Sequence, residues 1–230
     1  MALRIDFHSH VLPGLDHGSR DLETSLDQLA MVHEHHTDIL VASSHFYPHR
    51  MNLGGFLQRR EAAVKELVDN LGEDCPRVVL GTETACYPGL EDMDGLEQLC
   101  IAGTNVLLLE MPMTTWKDAH LEAVDAITAR GIDVVLAHID RYSESDVERV
   151  MQLDVKAQIN ASSLCSFFKR RKLKRWFNEG RVWALGSDLH GADRGGYDHF
   201  PKALAKLGPE TTLDVMERTA SLLENAIYLN

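Results

Sequence analysis

The chain has 230 residues, 44% of them hydrophobic and 25% charged, and a formal net charge of −12. This length and composition suit a globular α/β unit with a buried core and exclude a low-complexity or disordered chain. The acidic balance argues against nucleic acid as a partner, because phosphate backbones are bound by basic surfaces. No apolar stretch reaches the roughly 20 residues needed to span a membrane. Seven short apolar runs read as strands: Leu3–Phe7, Ile39–Ser43, Val78–Gly81, Val106–Leu109, Val134–Ala137, Val155–Ile159 and Val182–Leu185. They are continuous rather than alternating, as expected of parallel strands buried on both faces. Amphipathic stretches lie between them. Phe56, Leu57, Ala63, Val64, Leu67, Val68 and Leu71 share one helical face. Leu121, Val124 and Ile127 repeat the pattern, with Gly131 placed as a helix C-cap, and Thr219–Leu229 reads as a terminal helix. This alternation, without a linker, predicts residues 1–230 as a single βα-repeating domain, closed or nearly closed as a barrel. An open doubly wound sheet is the alternative, but no glycine-rich fingerprint follows any strand.

The informative feature is where the strands stop. The first run ends in His8-Ser9-His10, and residues two apart on a strand face the same way, so both imidazoles can reach one ion. Later runs stop at His45, Glu83, Glu110 and His138, and the last continues into Asp188-Leu189-His190. With His17 or Asp16 from the loop after the first strand, the candidates number roughly nine, against about three protein ligands for a single catalytic ion. Imidazole and carboxylate without thiolate suit zinc, manganese or iron. The set is too large for one ion and fits two or three, with Glu83 or Asp188 bridging.

Taken together, these motifs resemble those of the polymerase-and-histidinol-phosphatase (PHP) superfamily, and more narrowly its bacterial capsule-type protein-tyrosine phosphatases. The resemblance rests on the run from Asp6 to Gly18, on Ser43–Pro48, Gly81–Glu83, Leu109–Pro112, Ala137–Tyr142 and Ser187–His190, all in order along nearly the whole chain. It implies a distorted seven-stranded (β/α)7 TIM-like barrel holding three divalent ions, manganese or iron with zinc also suited. Carried over, one ion would take His8, His10, Glu83 and Asp188. A second would take Glu83, Glu110 and His138, and a third His45, His190 and the residue before Gly18. The family reads Asp-Asp-Gly where this chain has Asp16-His17-Gly18, so His17 is the favoured ligand and Asp16 the alternative. Asp140 also stands where the family carries Glu, just before Arg141.

The chemistry expected is phosphomonoester hydrolysis, with a water bridging two cations deprotonated near neutral pH as the nucleophile. Arg141 matches the family's phosphate-binding arginine and Arg194 lies near its second. The implied substrate is a phosphotyrosine-bearing protein, the tail of a bacterial tyrosine kinase of exopolysaccharide or capsule biosynthesis. A histidinol-phosphatase-like enzyme acting on small phosphomonoesters is the alternative. An amidohydrolase also begins with His-x-His but ends in a lone Asp, unlike Asp188-x-His190, and a non-catalytic metal-holding barrel is a fourth reading. Cys165 and Arg171 are spaced as in cysteine phosphatases, but no glycine between them would let the backbone curl around an anion. Cys75, Cys86, Cys100 and Cys165 form no disulfide-like framework, and nothing before Asp6 resembles a secretory signal, so a reducing cytoplasm is expected. The run Phe168–Trp176 is the only strongly basic segment, readable as a solvated helix face or as a dock for an acidic or phosphorylated tail.

Overall fold

A computed structural model describes residues 3–193 and 196–230. In chain order its elements are β1 (Ile5–His10), α1 (Leu22–Glu34), β2 (Ile39–Ala42), β3 (His45–Phe46), α2 (Leu53–Val68), β4 (Arg77–Leu80), β5 (Glu83–Ala85), β6 (Val106–Glu110) and α3 (Asp118–Ala129). Then follow β7 (Asp133–Leu136), α4 (Glu144–Val150), β8 (Lys156–Asn160), α5 (Ala161–Cys165), α6 (Phe167–Asn178), β9 (Val182–Gly186), β10 (Leu189–His190), α7 (His199–Leu207) and α8 (Pro209–Leu222).

All seven expected strands form, but three of them break near their C-terminal ends. Ser43–Ser44 separates β2 from β3, Gly81–Thr82 separates β4 from β5, and Ser187–Asp188 separates β9 from β10. Each break shifts the chain from one ladder to another, so the pairings form a four-stranded sheet, β10-β1-β2-β4, and a six-stranded sheet, β3-β5-β6-β7-β8-β9. Every ladder is parallel. Counting each broken strand as one, the pairings run around a ring of seven. They return to β1 through Ser9 opposite Leu189 and His10 opposite His190. This is the distorted barrel architecture expected from the sequence, and its distortion has local causes. At the first break Ser9 N donates to Ser43 Oγ at 3.1 Å and Ser43 N to Ser9 O at 2.8 Å. At the last, Ser187 N donates to the buried Asp6 Oδ1 at 2.8 Å, and Asp188 takes a left-handed φ of 58°.

At the first and last breaks a buried polar side chain thus joins neighbouring backbone in satisfying the amides that leave the ladder, as a buried chain requires. One apolar cluster spans the strands and the inner faces of the helices. In α2 it buries Phe56, Ala63 and Leu67, and Leu57, Val64 and, just beyond the helix, Leu71 pack against it partly buried; of the expected stripe only Val68 departs, by facing solvent. The terminal helix is also corrected. Instead of Thr219–Leu229 it is α8, starting at Pro209, a residue whose fixed φ suits a first helical turn. Residues after Leu222 leave the helix because their backbone finds partners elsewhere: Ile227 N donates to Ala102 O and Leu229 N to Val78 O, both at 2.8 Å.

Candidate metal centre

The C-terminal strand ends converge, as in parallel βα barrels generally. His8, His10, Glu83 and His138 are wholly buried, and Asp188 is nearly so. Glu83, at the start of β5, is the hub. Its Oε2 lies 3.0 Å from His45 Nδ1, 3.1 Å from His8 Nε2 and 3.3 Å from His10 Nε2. Its Oε1 meets His138 Nε2 at 2.8 Å. Neither Glu83 Oε2 nor His45 Nδ1 makes a hydrogen bond despite their proximity. Asp188 Oδ1 lies 3.5 Å from His8 Nε2 and 3.4 Å from His10 Nε2.

The surrounding hydrogen bonds set the imidazole tautomers. His8 Nδ1 faces Gln158 Oε1 at 3.2 Å and His10 Nδ1 faces Asp16 Oδ2 at 2.8 Å. Both partners only accept, so each Nδ1 carries the hydrogen and each Nε2 presents its lone pair inward. Those two Nε2 atoms stand 3.0 Å apart. Two lone pairs at that distance repel unless a cation lies between or beside them. Burial pushes the His8 and His10 pKa values down, but the adjacent carboxylates outweigh it and hold both above the ordinary 6.5. Burial likewise opposes ionisation of Glu83 and Asp188, yet the encircling imidazoles, joined at Asp188 by Arg141, hold both well below the usual carboxylate range. Glu110 goes the other way: burial and the charge of Glu83 raise its pKa.

Three sets of donor atoms gather within 4.8 Å of one another: His8, His10 and Asp188; His45, Glu83 and Glu110; and His10, His45 and His190. His138 approaches both Glu83 and, at 3.7 Å, Glu110. His17 joins none of these sets, but its exposed ring stacks 4.8 Å from that of His45 and lies 4.6 Å from that of His190. Asp16 is occupied otherwise: besides His10 Nδ1, its carboxylate accepts from Gly18 N at 2.9 Å and His45 N at 2.8 Å. His190 Nδ1 donates to Asp188 O at 2.9 Å, leaving its buried Nε2 without a partner. Burial and the neighbouring His10 push the His190 pKa down to about 4, so this ring is neutral near pH 7. Arg141 meets Asp188 Oδ2 with its guanidinium partly open to solvent. Arg194 lies outside the described residues.

Close packing supports this geometry. A methyl group on Gly186 would sit 2.5 Å from His8 Cβ, and one on Gly18 only 2.1 Å from His10 Cβ, so both positions exclude any side chain. His138 and Asp188 hold left-handed φ values of 34° and 58°. Such strain in non-glycine residues is retained where surrounding structure over-determines it, commonly at functional sites. Sequence reasoning missed the residues that orient the ligands. Gln158 Oε1 accepts from His138 N at 2.7 Å as well as from His8, and Asn160 Nδ2 donates to Asp188 Oδ2 at 2.8 Å. The signal was present in Gln158-x-Asn160, which has the same two-residue spacing as His8-x-His10 on the one strand that ends in no ligand. The cysteine-phosphatase spacing has no cradle to match it, because residues after Ser166 enter α6 directly.

The donor chemistry passes the test for metal. Imidazole nitrogens and carboxylate oxygens, several of them buried without a hydrogen-bond partner, point into one space, and His8 and His10 each have an acceptor behind them in the usual arrangement of metal-bound histidine. A family model described as capsular polysaccharide synthesis, CpsB/CapC, matches residues 4–207. The chain belongs to the CpsB/CapC family. Within reach of that family, tyrosine-protein phosphatase CpsB of Streptococcus agalactiae serotype III (strain NEM316) is 26% identical over 206 residues, covering 82% of this chain and 84% of that one. Tyrosine-protein phosphatase YwqE of Bacillus subtilis (strain 168) is 27% identical over 241 residues, covering 96% and 92%. A crystal structure from a study of YwqE and Streptococcus pneumoniae CpsB, described as unique metal-dependent tyrosine phosphatases, superimposes with a TM-score of 0.79. It covers 97% of this chain and 95% of its own at 22% identity. The Escherichia coli phosphotriesterase homology protein, with phosphate in its active site, shares the fold more distantly, at a TM-score of 0.54 and 12% identity over 96% and 98% of the two chains.

Proposed function

We propose that residues 1–230 form one metal-dependent phosphatase unit that hydrolyses phosphotyrosine in a protein, by way of three divalent ions of the manganese or iron type. The observation that carries the reading is Glu83 Oε2, fully buried within 3.3 Å of three imidazole nitrogens and without a hydrogen bond. His8, His10, Glu83 and Asp188 would hold the first ion and Glu83, Glu110 and His138 the second. His45 and His190, with His17, would hold the third; Asp16 fits better as the acceptor that fixes His10. Ions held there supply Lewis acidity and make water nucleophilic near neutral pH. The chain's residues supply the rest. Gln158 and Asp16 keep the hydrogen on Nδ1 of His8 and His10. Arg141 lies beside Asp188 with a fork of donors able to bind two phosphoryl oxygens and hold charge that develops on them. A phenolate departs without much need of a proton, so no general acid is required of the described residues.

The relatives' names point to phosphotyrosine and the family description to capsular polysaccharide synthesis, which favours a tyrosine kinase of that system as the substrate. Four unpaired thiols agree with a cytoplasmic setting. The test compares phosphate release from a phosphotyrosine peptide and from histidinol phosphate. The peptide should be the better substrate by kcat/KM, and activity on it should vanish in His8→Ala/His10→Ala. Preference for histidinol phosphate would reassign the enzyme to small phosphomonoesters.

A further inference from the structure

Outside the metal centre one surface stands apart from the acidic remainder of the chain. Helix α6 carries Lys169, Arg170, Arg171, Lys172, Lys174 and Arg175 and no acidic residue, although the net charge of the whole is −12. Its inner face is accounted for by buried Leu173, Trp176 and Phe177. Glu144 offsets part of the charge, pairing with Lys172 at 3.5 Å and Arg175 at 3.2 Å, and Glu179 pairs with Arg175 at 3.5 Å. Arg170, Arg171 and Lys174 have no acidic partner among the described residues. In the first turn Phe167 and Phe168 are 77% and 92% exposed. Scattered exposed apolar side chains are ordinary. Two adjacent phenylalanines heading a cationic stripe make a combined apolar and positive surface. Phe168, Arg171, Lys172 and Arg175, one helical stripe, line a cleft of about 570 Å³ against Glu144.

The first turn of α6 reaches the edge of the metal centre through Lys169, which lies off that stripe. Lys169 Nζ donates to Asp140 O at 3.2 Å, and the Asp140 carboxylate accepts from Asn160 N and Ser163 Oγ. Arg141 follows in sequence and meets Asp188, whose carboxylate also accepts from Asn160. A polypeptide with its phosphate against Arg141 thus has α6 immediately beside it. We propose that α6 is the docking surface for acidic residues flanking the phosphotyrosine of the protein substrate, with Phe167 and Phe168 receiving an apolar side chain of the same segment. The proposal rests on the phosphotyrosine reading. Continuity with the mouth favours a substrate segment over a membrane surface or a second copy of the chain.

The test separates docking from turnover. Fluorescent peptides bearing an unphosphorylated tyrosine, flanked by Asp and Glu or by neutral residues, are titrated with the metal-loaded protein. The acidic peptide should bind about tenfold more tightly than its neutral twin. Raising salt from about 0.05 M to about 0.5 M should erase the difference, because the interaction is screened. Arg170→Gln/Arg171→Gln/Lys174→Gln, which keeps helix-forming side chains, should also remove it while para-nitrophenyl phosphate turnover stays at the wild-type rate. Phe168→Ser should weaken binding by a smaller factor. Equal binding of the two peptides overturns the proposal. So does a triple variant with unaltered peptide affinity that loses binding to phosphatidylserine vesicles or dissociates a salt-sensitive dimer. If the wild type fails to hydrolyse para-nitrophenyl phosphate, the phosphatase reading falls, and the peptide titration still decides the docking.

Discussion

The inner and outer halves of the metal centre are built differently. His8, His10, Glu83 and Asp188 are buried, and three of the four are held from behind by Gln158, Asp16 and Asn160. His17 and His190 lie at the rim, and among the described residues His17 has only ring stacking to hold it. Ligands fixed by a second layer lose little freedom on binding an ion, whereas a stacked, exposed ring must be immobilised first. The inner half should therefore retain its ions under conditions that empty the rim.

The largest effect expected is from His8→Ala/His10→Ala or Glu83→Gln, which should abolish aryl-phosphate hydrolysis and leave less metal per chain by elemental analysis. Full metal with full activity in Glu83→Gln would break the idea of a hub. Asp16→Ala should come next. It removes the acceptor behind His10 and should cost about 10- to 100-fold in metal affinity or activity, the usual effect of losing such a partner. His17→Ala should do less, removing at most one weakly held ion and lowering kcat/KM several-fold while the inner ions stay bound. If His17→Ala proves worse than Asp16→Ala, the division between inner and outer halves is wrong.

A smaller signal lies in pH. Carboxylate neighbours raise the folded-state pKa values of His8 and His10 above 6.5. The stability this gives the metal-free protein is fully present below about pH 6.5 and is lost as pH rises through the raised values. Glu83 and Asp188, held low, contribute stability that is lost only as pH falls below their ordinary 4.5 and 3.8. Metal binding needs unprotonated imidazole, so it displaces protons and strengthens as pH rises. The Tm gap between metal-loaded and chelated protein should therefore be wider at about pH 8 than at about pH 6, and a narrower gap would contradict this arrangement. The smallest effect is expected from Cys165→Ser, which should leave turnover nearly unchanged.

Much of this was legible in the sequence, because a parallel βα barrel brings every C-terminal strand end to one face, and apolar runs that stop at His or Glu mark those ends directly. The strand breaks were harder to see. Nothing in Ser43-Ser44 or Ser187-Asp188 marks a break, and only the register shows that they move the chain to another ladder. The role of Asp16 was not legible, since it depends on the loop folding back until its carboxylate meets His10 and the amide of His45. The end of the last helix was misplaced because Ile227 and Leu229 are apolar enough to continue one, but their amides are taken by Ala102 and Val78.

The most direct test of a buried metal centre for phosphoryl hydrolysis is a titration of chelated protein with manganese, following phosphate release from a phosphotyrosine peptide together with bound metal per chain. Release should be absent without metal and rise to a plateau as occupancy reaches about two to three ions per chain. Steady hydrolysis by the metal-free protein would contradict the account.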